Sequence, residues 1–312
     1  MDAYVTVDIG GTHIRAATFL RDSTQPIKHQ RTSTHSADGA LLDRISTLIE
    51  TVWPEKEKVK AISVASPGPL DPKSGVILAT PNIPEWRDFP LGPKLADRFG
   101  VPVYIDNDAN LAALGEWRYG AGKGYHDVLY LTISTGIGGG VIVNDQLLRG
   151  ARGMGAELGH VTVLPDGPLC SCGQPGHLEA LASGPAIVRF VREQLAAGAQ
   201  SALKANPGLT ARQIAEAAGQ GDALARQAFQ QAGEYLGLAL ASLIHIFDPS
   251  IVIFGGGVSQ SGRLLFDPMK ASLRKYIFHP AFLNNLAIKT AALGDDAGLL
   301  GALALAKMAL KY

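Results

Sequence analysis

Net charge is what this chain lacks most plainly: 28 Lys and Arg are offset by 28 Asp and Glu, and the charged residues are scattered rather than clustered. Nucleic acid or an acidic membrane surface would need a concentrated basic face, so neither is expected as a partner. Long apolar runs are missing as well. Asp8 and Arg15 interrupt the N-terminal stretch where a secretory signal would need continuous apolar residues, and no later segment has the length to span a bilayer. A cytoplasmic chain is the expectation. Cysteine is scarce, with only Cys170 and Cys172 present. A disulfide across one intervening residue would be strained, which leaves thiols or metal ligands. Three chemical signatures are also absent. Gly122-Lys123 is followed by Gly124 rather than Ser or Thr and has no glycine at the required upstream distance, so there is no Walker loop. No Gly-x-Gly-x-x-Gly follows the first strand-like run, and no Gly-x-Ser-x-Gly elbow occurs.

The chain's 312 residues suffice for one large or two medium domains. Its first patterned stretch is VTVDIGGTHIRAATF, Val5 to Phe19. Val5, Val7 and Ile9 alternate, Ile14, Ala16 and Thr18 resume the alternation, and Gly10-Gly11 allows a tight connection, which predicts a β-hairpin. Its tip admits two readings. Asp8 and the glycines either make a turn, or form a phosphate loop in which Gly10 and Gly11 amides approach an anion, Thr12 donates a hydroxyl and Asp8 faces a metal or its waters.

Strand-like KAISVAS and VPVYID alternate with helical GALLDRISTLIETV and ANLAALGEWRYG, the rhythm of an α/β sheet with packed helices. GAGKGYHD reads as a linker near residue 120. Beyond it DVLYLTISTGIGGGVIV repeats the opening pattern, with Thr135, Gly136, Gly138, Gly139 and Gly140 between two strands. Two similar halves follow, each led by a hairpin with a Gly-rich tip, able to grip a polyphosphate from both sides. Further on, the pattern predicts a short helix, a break at Gln220-Gly221-Asp222, and a long buried helix ending before Asp248-Pro249. SIVIFGGGVSQ is then an apolar strand running into Gly255, Gly256 and Gly257, either a tight turn or a place where a flat ligand meets bare backbone. A last apolar helix opens on Asp295-Asp296 as its cap.

Two stretches carry chemistry. Asp106, Asn107 and Asp108 stand between a strand end and a helix start, where one polar residue caps the helix. The others are then spare, and a spare carboxylate at Asp108, kept ionised by the helix N-terminus, suits phosphoryl transfer as a weak general base. In GAELGHVTVLPDGPLCSCGQPGHLEALASG, His160, Cys170, Cys172 and His177 place four zinc-compatible ligands within eighteen residues. Glu157 and Glu179 flank them, and ionised carboxylates there could hold polyol hydroxyls.

Taken in order, Asp8-Ile-Gly-Gly-Thr12, Asn107-Asp108-Ala-Asn110, Ser134-Thr-Gly-Ile-Gly-Gly-Gly140, Glu157-Leu-Gly-His160, Cys170-Ser-Cys-Gly-x-x-Gly176, Glu179 and Gly255-Gly-Gly257 resemble the ROK family of sugar kinases and sugar-sensing repressors. The resemblance spans essentially the whole chain, and Ser66 to Leu91 is similar to the matching segment of bacterial ROK glucokinases. It implies an α/β, actin-like (ribonuclease-H-like) fold of two domains around a cleft: residues 1–118 with a returning helix at 298–312, and residues 119–297. It implies transfer from ATP, with Mg2+, to a hexose, glucose foremost, with N-acetylmannosamine, N-acetylglucosamine or fructose as alternatives. It further implies Asp108 as the base, Gly68, Asn82, Asn107, Glu157, His160 and Glu179 as sugar contacts, a structural Zn2+ shared by His160, and a homodimer. Much of the family has a third cysteine where this chain has His177. A sugar-sensing repressor would need a helix-turn-helix ahead of the first hairpin, for which Asp8 leaves no room, and a chaperone or filament subunit would not require the zinc-and-glutamate cluster.

Overall fold

The computed structural model describes residues 1–35, 39–80, 83, 85–204 and 206–310. Asn82 lies outside the described residues. In chain order the elements are β1 (Asp2–Ile9), β2 (His13–Leu20), β3 (Pro26–Ser33), α1 (Leu41–Val52), β4 (Lys58–Ser66), β5 (Leu70–Asp71), β6 (Val76–Ile77), α2 (Leu91–Phe99), β7 (Val103–Asn107), α3 (Asp108–Tyr119), β8 (Val128–Ile133), β9 (Ile137–Val143) and β10 (Gln146–Leu147). They continue as α4 (Leu178–Ala182), α5 (Gly184–Ala196), α6 (Ala211–Gly219), α7 (Ala223–Phe247), β11 (Ile251–Gly255), α8 (Arg263–Tyr276), β12 (Ala287–Thr290) and α9 (Ala297–Ala309). Among the described residues no helix is long and apolar enough to cross a membrane.

Two compact units emerge. The first comprises 1–125, 140–156 and 291–312, and the second comprises 126–139 and 157–290. Segments 119–125, 140–156 and 291–297, which the resemblance places with the C-terminal domain, pack with the first unit. Three contacts give the reason. Gly140 backs onto α3, where a Cβ would sit 2.5 Å from that of Ala113. Arg149 pairs with Asp106 at 2.6 Å. The buried Glu116 carboxylate accepts the amides of Ala121, Ala292 and Leu293 at 2.8, 3.1 and 2.8 Å.

The first unit holds a sheet in the order β3-β2-β1-β4-β7, mixed because β1 runs antiparallel to β2 and parallel to β4. The alternation of β1 and β2 puts Val5, Val7, Ile9, Ile14 and Ala16 on one face, packed with Leu41, Ile45, Ile49 and Leu95 of α1 and α2. Tyr4, Ala17 and Phe19 take the other face and meet Leu299, Leu300, Leu303 and Ala306 of α9. Each such buried leucine contributes roughly 1.5–3 kcal/mol, so α9 is held by apolar contact rather than by its N-terminal acids. Asp295 and Asp296 make no side-chain cap bond to α9, contrary to the expected cap. Asp296 is already helical, with φ −83 and ψ −4, so its carboxylate cannot fold back on the first amides.

The second sheet has the order β10-β9-β8-β11-β12, with β11 parallel to β8 and β12. In the second unit α7 packs against α4, α5, α6 and α8. The predicted helical break is present: α6 stops at Gly219, and Asp222 caps α7 by accepting the Ala225 amide at 2.9 Å.

Candidate active site

In the first unit the β1–β2 turn carries Gly10, Gly11 and Thr12, with the Gly10 amide donating to the His13 carbonyl at 3.0 Å. Thr34 secures the turn from β3's end, its hydroxyl donating to the Gly10 carbonyl at 2.7 Å. Asp8, read from sequence as facing a metal or its waters, is buried and held by Arg15 at 2.5 Å. Burial raises its pKa, and the Arg15 charge works in the opposite direction.

The strand-to-helix junction divides its polar residues between separate tasks. Asn107 is the cap, its side chain accepting the amides of Ala109 and Asn110 at 2.9 and 3.2 Å. Asp106 is buried and tied to Arg149. Asp108, half-buried at the first helical position, accepts the Ala109 amide at 2.8 Å and is not needed as the cap. Gly68 lies beside this junction, where a Cβ would come within 3.3 Å of the Asn107 side-chain nitrogen Nδ2.

The second unit assembles the cysteine–histidine stretch. The ligand atoms of His160, Cys170, Cys172 and His177 all lie within 4.8 Å of one another. Cys170 Sγ is 3.7 Å from His160 Nδ1, and Cys172 Sγ is 3.2 Å from His177 Nδ1. Tetrahedral zinc at the usual bond lengths sets sulfur–nitrogen edges of about 3.5 Å, so these donors fit the ion. Both histidines turn Nδ1 toward the sulfurs, which leaves His160 Nε2 for another partner. Burial raises the Cys170 thiol, a shift that a bound cation would reverse.

Glu179 links this stretch to the second hairpin. Its Oε1 accepts the Ser171 hydroxyl at 2.7 Å and the Cys170 thiol at 3.4 Å, while Oε2 accepts the Ile137 amide at 3.0 Å. Gly136 lies against the same carboxylate: a Cβ there would be 2.5 Å from Glu179 Oε2. Glu157 stands three residues before His160. The residue is exposed, yet its carboxyl is partly desolvated, which raises its pKa against the His160 charge, with Glu179 adding to the rise.

A pocket of ≈ 910 Å³ opens in the same unit, lined by Thr135, Pro185, Arg192, Leu209, Gly257 and Val258 among others. Of Gly255, Gly256 and Gly257 only Gly257 lines it. Gly255 makes room for the Tyr130 ring, where a Cβ would be 2.4 Å from the hydroxyl, and Gly256 has φ +81 with the Ile133 carbonyl 2.3 Å from a Cβ position. Gly138 sits on strand β9 and not in the turn. Arg149 and Arg192 carry no signal in the sequence. Arg192 donates to the carbonyls of Asn206 and Pro207 at 2.8 and 2.9 Å, holding one wall of the pocket, over a separation no local pattern encodes.

Two five-stranded sheets of mixed strands, each with a Gly-rich hairpin, and the pocket beside the second hairpin define an actin-like, ribonuclease-H-like nucleotide-binding protein. The chain belongs to the ROK family, whose model matches residues 4–309. A glucokinase of Thermotoga maritima is 38% identical over 309 residues, covering 97% of this chain and 96% of the relative. A ROK family glucokinase from Streptomyces griseus, solved in complex with glucose and AMPPNP, is 37% identical with a TM-score of 0.80 and covers 98% of this chain and 99% of its own. A ROK hexokinase from Thermus thermophilus is 37% identical with a TM-score of 0.82, covering 99% of each chain.

Proposed function

We propose that this chain is an ATP-dependent glucokinase that transfers the γ-phosphoryl group of ATP to a hydroxyl of glucose. The observation that carries the reading is the division of labour at the α3 N-terminus. Asn107 caps the helix, Asp106 is tied to Arg149, and Asp108 stands at the first helical position with its Oδ1 on the Ala109 amide at 2.8 Å. The glucose hydroxyl oxygen forms a bond to the γ-phosphorus as the bond to the ADP oxygen breaks, and the hydroxyl proton passes to the Asp108 carboxylate. Near the helix N-terminus that carboxylate is ionised at neutral pH and a weak base, adequate where proton loss is late and catalysis rests on positioning and charge stabilisation.

In this reading Gly68, Asn82, Asn107, Glu157, His160 and Glu179 contact the sugar, with His160 offering its Nε2. The turns at Gly10–Thr12 and Thr135–Gly136 face the phosphates and their Mg2+. Adenosine occupies the pocket walled by Arg192 and Gly257. His160, Cys170, Cys172 and His177 would hold zinc, which stiffens the stretch that carries Glu179 and takes no part in the transfer. The exposed Ile246 and Phe278, flanking His245, support the homodimer.

A coupled assay across glucose, fructose, N-acetylglucosamine and N-acetylmannosamine, with ATP, GTP and polyphosphate as donors, tests the function. Glucose with ATP is expected to give the highest kcat/KM, and turnover confined to another sugar would defeat the reading. Metal analysis is expected to find one zinc per chain, reduced in C172A and in H177A. A folded, active preparation without zinc would remove the metal from the proposal, while full zinc retention in H177A would remove only the fourth ligand.

A further inference from the structure

Asp106 is a fully buried carboxylate with each oxygen engaged. Its Oδ1 accepts the Asn107 backbone amide at 2.8 Å and the Asn110 side-chain amide at 3.1 Å. Its Oδ2 is held by Arg149 Nε at 2.6 Å, an arginine 43 residues away in sequence that is one-third exposed. One carboxylate therefore pins both sides of the residue pair Asn107-Asp108. Arg149 supplies the opposite charge that makes burial of that carboxylate tolerable.

Arg149 is itself built into a tight loop. Its carbonyl accepts the Gly155 amide at 2.9 Å, and a Cβ on Gly155 would approach that carbonyl to 3.0 Å. Farther along, Gly153 has φ +79 and lies against Pro72, where a Cβ would be 2.3 Å from the ring. The loop thus touches the segment that carries Gly68, and Gly68 abuts Asn107. All of these residues belong to the first unit.

We propose that Arg149 is a positioning residue: through the buried Asp106 it fixes the α3 N-terminus, and thereby sets the direction of the Asp108 carboxylate toward the hydroxyl it deprotonates. The inference rests on the assignment of Asp108 as the base. It assigns Arg149 no contact with sugar or nucleotide, so its loss changes the rate of the chemical step more than the binding of either substrate.

The test is steady-state kinetics on R149M, R149K, D108N and the double variant D108N/R149M, with melting temperatures alongside. R149M is expected to lose roughly ten- to hundredfold in kcat, the scale set by a misplacement of about 1 Å at a reacting group, with much smaller changes in KM for glucose and ATP. R149K restores the charge and is expected to recover part of the loss. If Arg149 acts through Asp108, D108N/R149M is no slower than D108N alone. Should R149M not fold, D106N/R149M leaves no buried charge unpaired and takes its place against the same outcomes. Wild-type kcat in R149M, a loss confined to KM, no recovery in R149K, or losses that multiply in the double variant would each overturn the proposal. D108N alone reports on the base: near-normal turnover there defeats that assignment, whereas the R149M comparison reports on Arg149.

Discussion

Asp108→Asn is expected to lower kcat by roughly 10²–10⁴, the range for loss of a general base, in a protein that melts where the wild type does. The substitution keeps the size of the side chain and an oxygen that can still accept the Ala109 amide, now at 2.8 Å. What it removes is the ability to take the hydroxyl proton. A second reading makes a different forecast. If Asp108 served only the helix terminus, Asn would serve as well, and neither stability nor turnover would move. The cap itself belongs to Asn107, whose side chain takes both the Ala109 and the Asn110 amide. Measurement of kcat, glucose affinity and melting temperature separates the readings, and a stable variant with near-normal turnover defeats the base.

Gly301→Ala is expected to be the most damaging single methyl in the first unit. At that point α9 crosses α3 so closely that a Cβ on Gly301 would lie 1.7 Å from the Leu111 carbonyl oxygen. Gly115 meets the same crossing from the other helix, with the Ala297 carbonyl 2.6 Å from its Cβ position. The obstacles are backbone atoms, which no side-chain rotation clears, so the helices must separate and α9 must give up part of its contact with Tyr4 and Phe19. Overpacking costs about 1–3 kcal/mol in ordinary cases and this one belongs at or above the upper end. At roughly 2–4 °C per kcal/mol the melting temperature should drop by about 6–12 °C. Gly219→Ala is the control, because nothing lies within 4 Å of its Cβ position. Thermal melts that show Gly301→Ala as harmless as Gly219→Ala would discard the close-crossing account.

The contrast between these two predictions marks how the molecule is encoded. Asn107 and Asp108 can be told apart in outline from the residues alone, since one cap needs one side chain and three polar residues stand in a row. The hairpin at residues 2–20 and its counterpart at 128–143 are legible from alternation around glycines. His160, Cys170, Cys172 and His177 are legible because their ligand atoms converge over a short stretch whose turns bring them together. Other readings meet a limit. That Gly136 stands against Glu179 Oε2 has no mark in the sequence. That Gly255 stands against the Tyr130 ring and Gly256 against the Ile133 carbonyl is likewise unmarked in the sequence.

By itself, then, the sequence determined the α/β class, the paired hairpins, the helix break at Gln220-Gly221-Asp222 and the clustering of His160, Cys170, Cys172 and His177. These depend on hydrogen bonds and side-chain periodicities that repeat or close within a few residues, so their patterns are written locally. Only the tertiary structure decided that Arg149 neutralises Asp106, that Arg192 holds the wall at Asn206 and Pro207, that Glu116 receives the amides at Ala292 and Leu293, and that Gly301 lets α9 meet α3. Each of these joins segments that become neighbours only once sheets and helices have packed. A buried carboxylate must find whatever cation or amide the packing delivers, and a glycine must stand wherever two backbones touch, so neither requirement leaves a periodic trace along the chain.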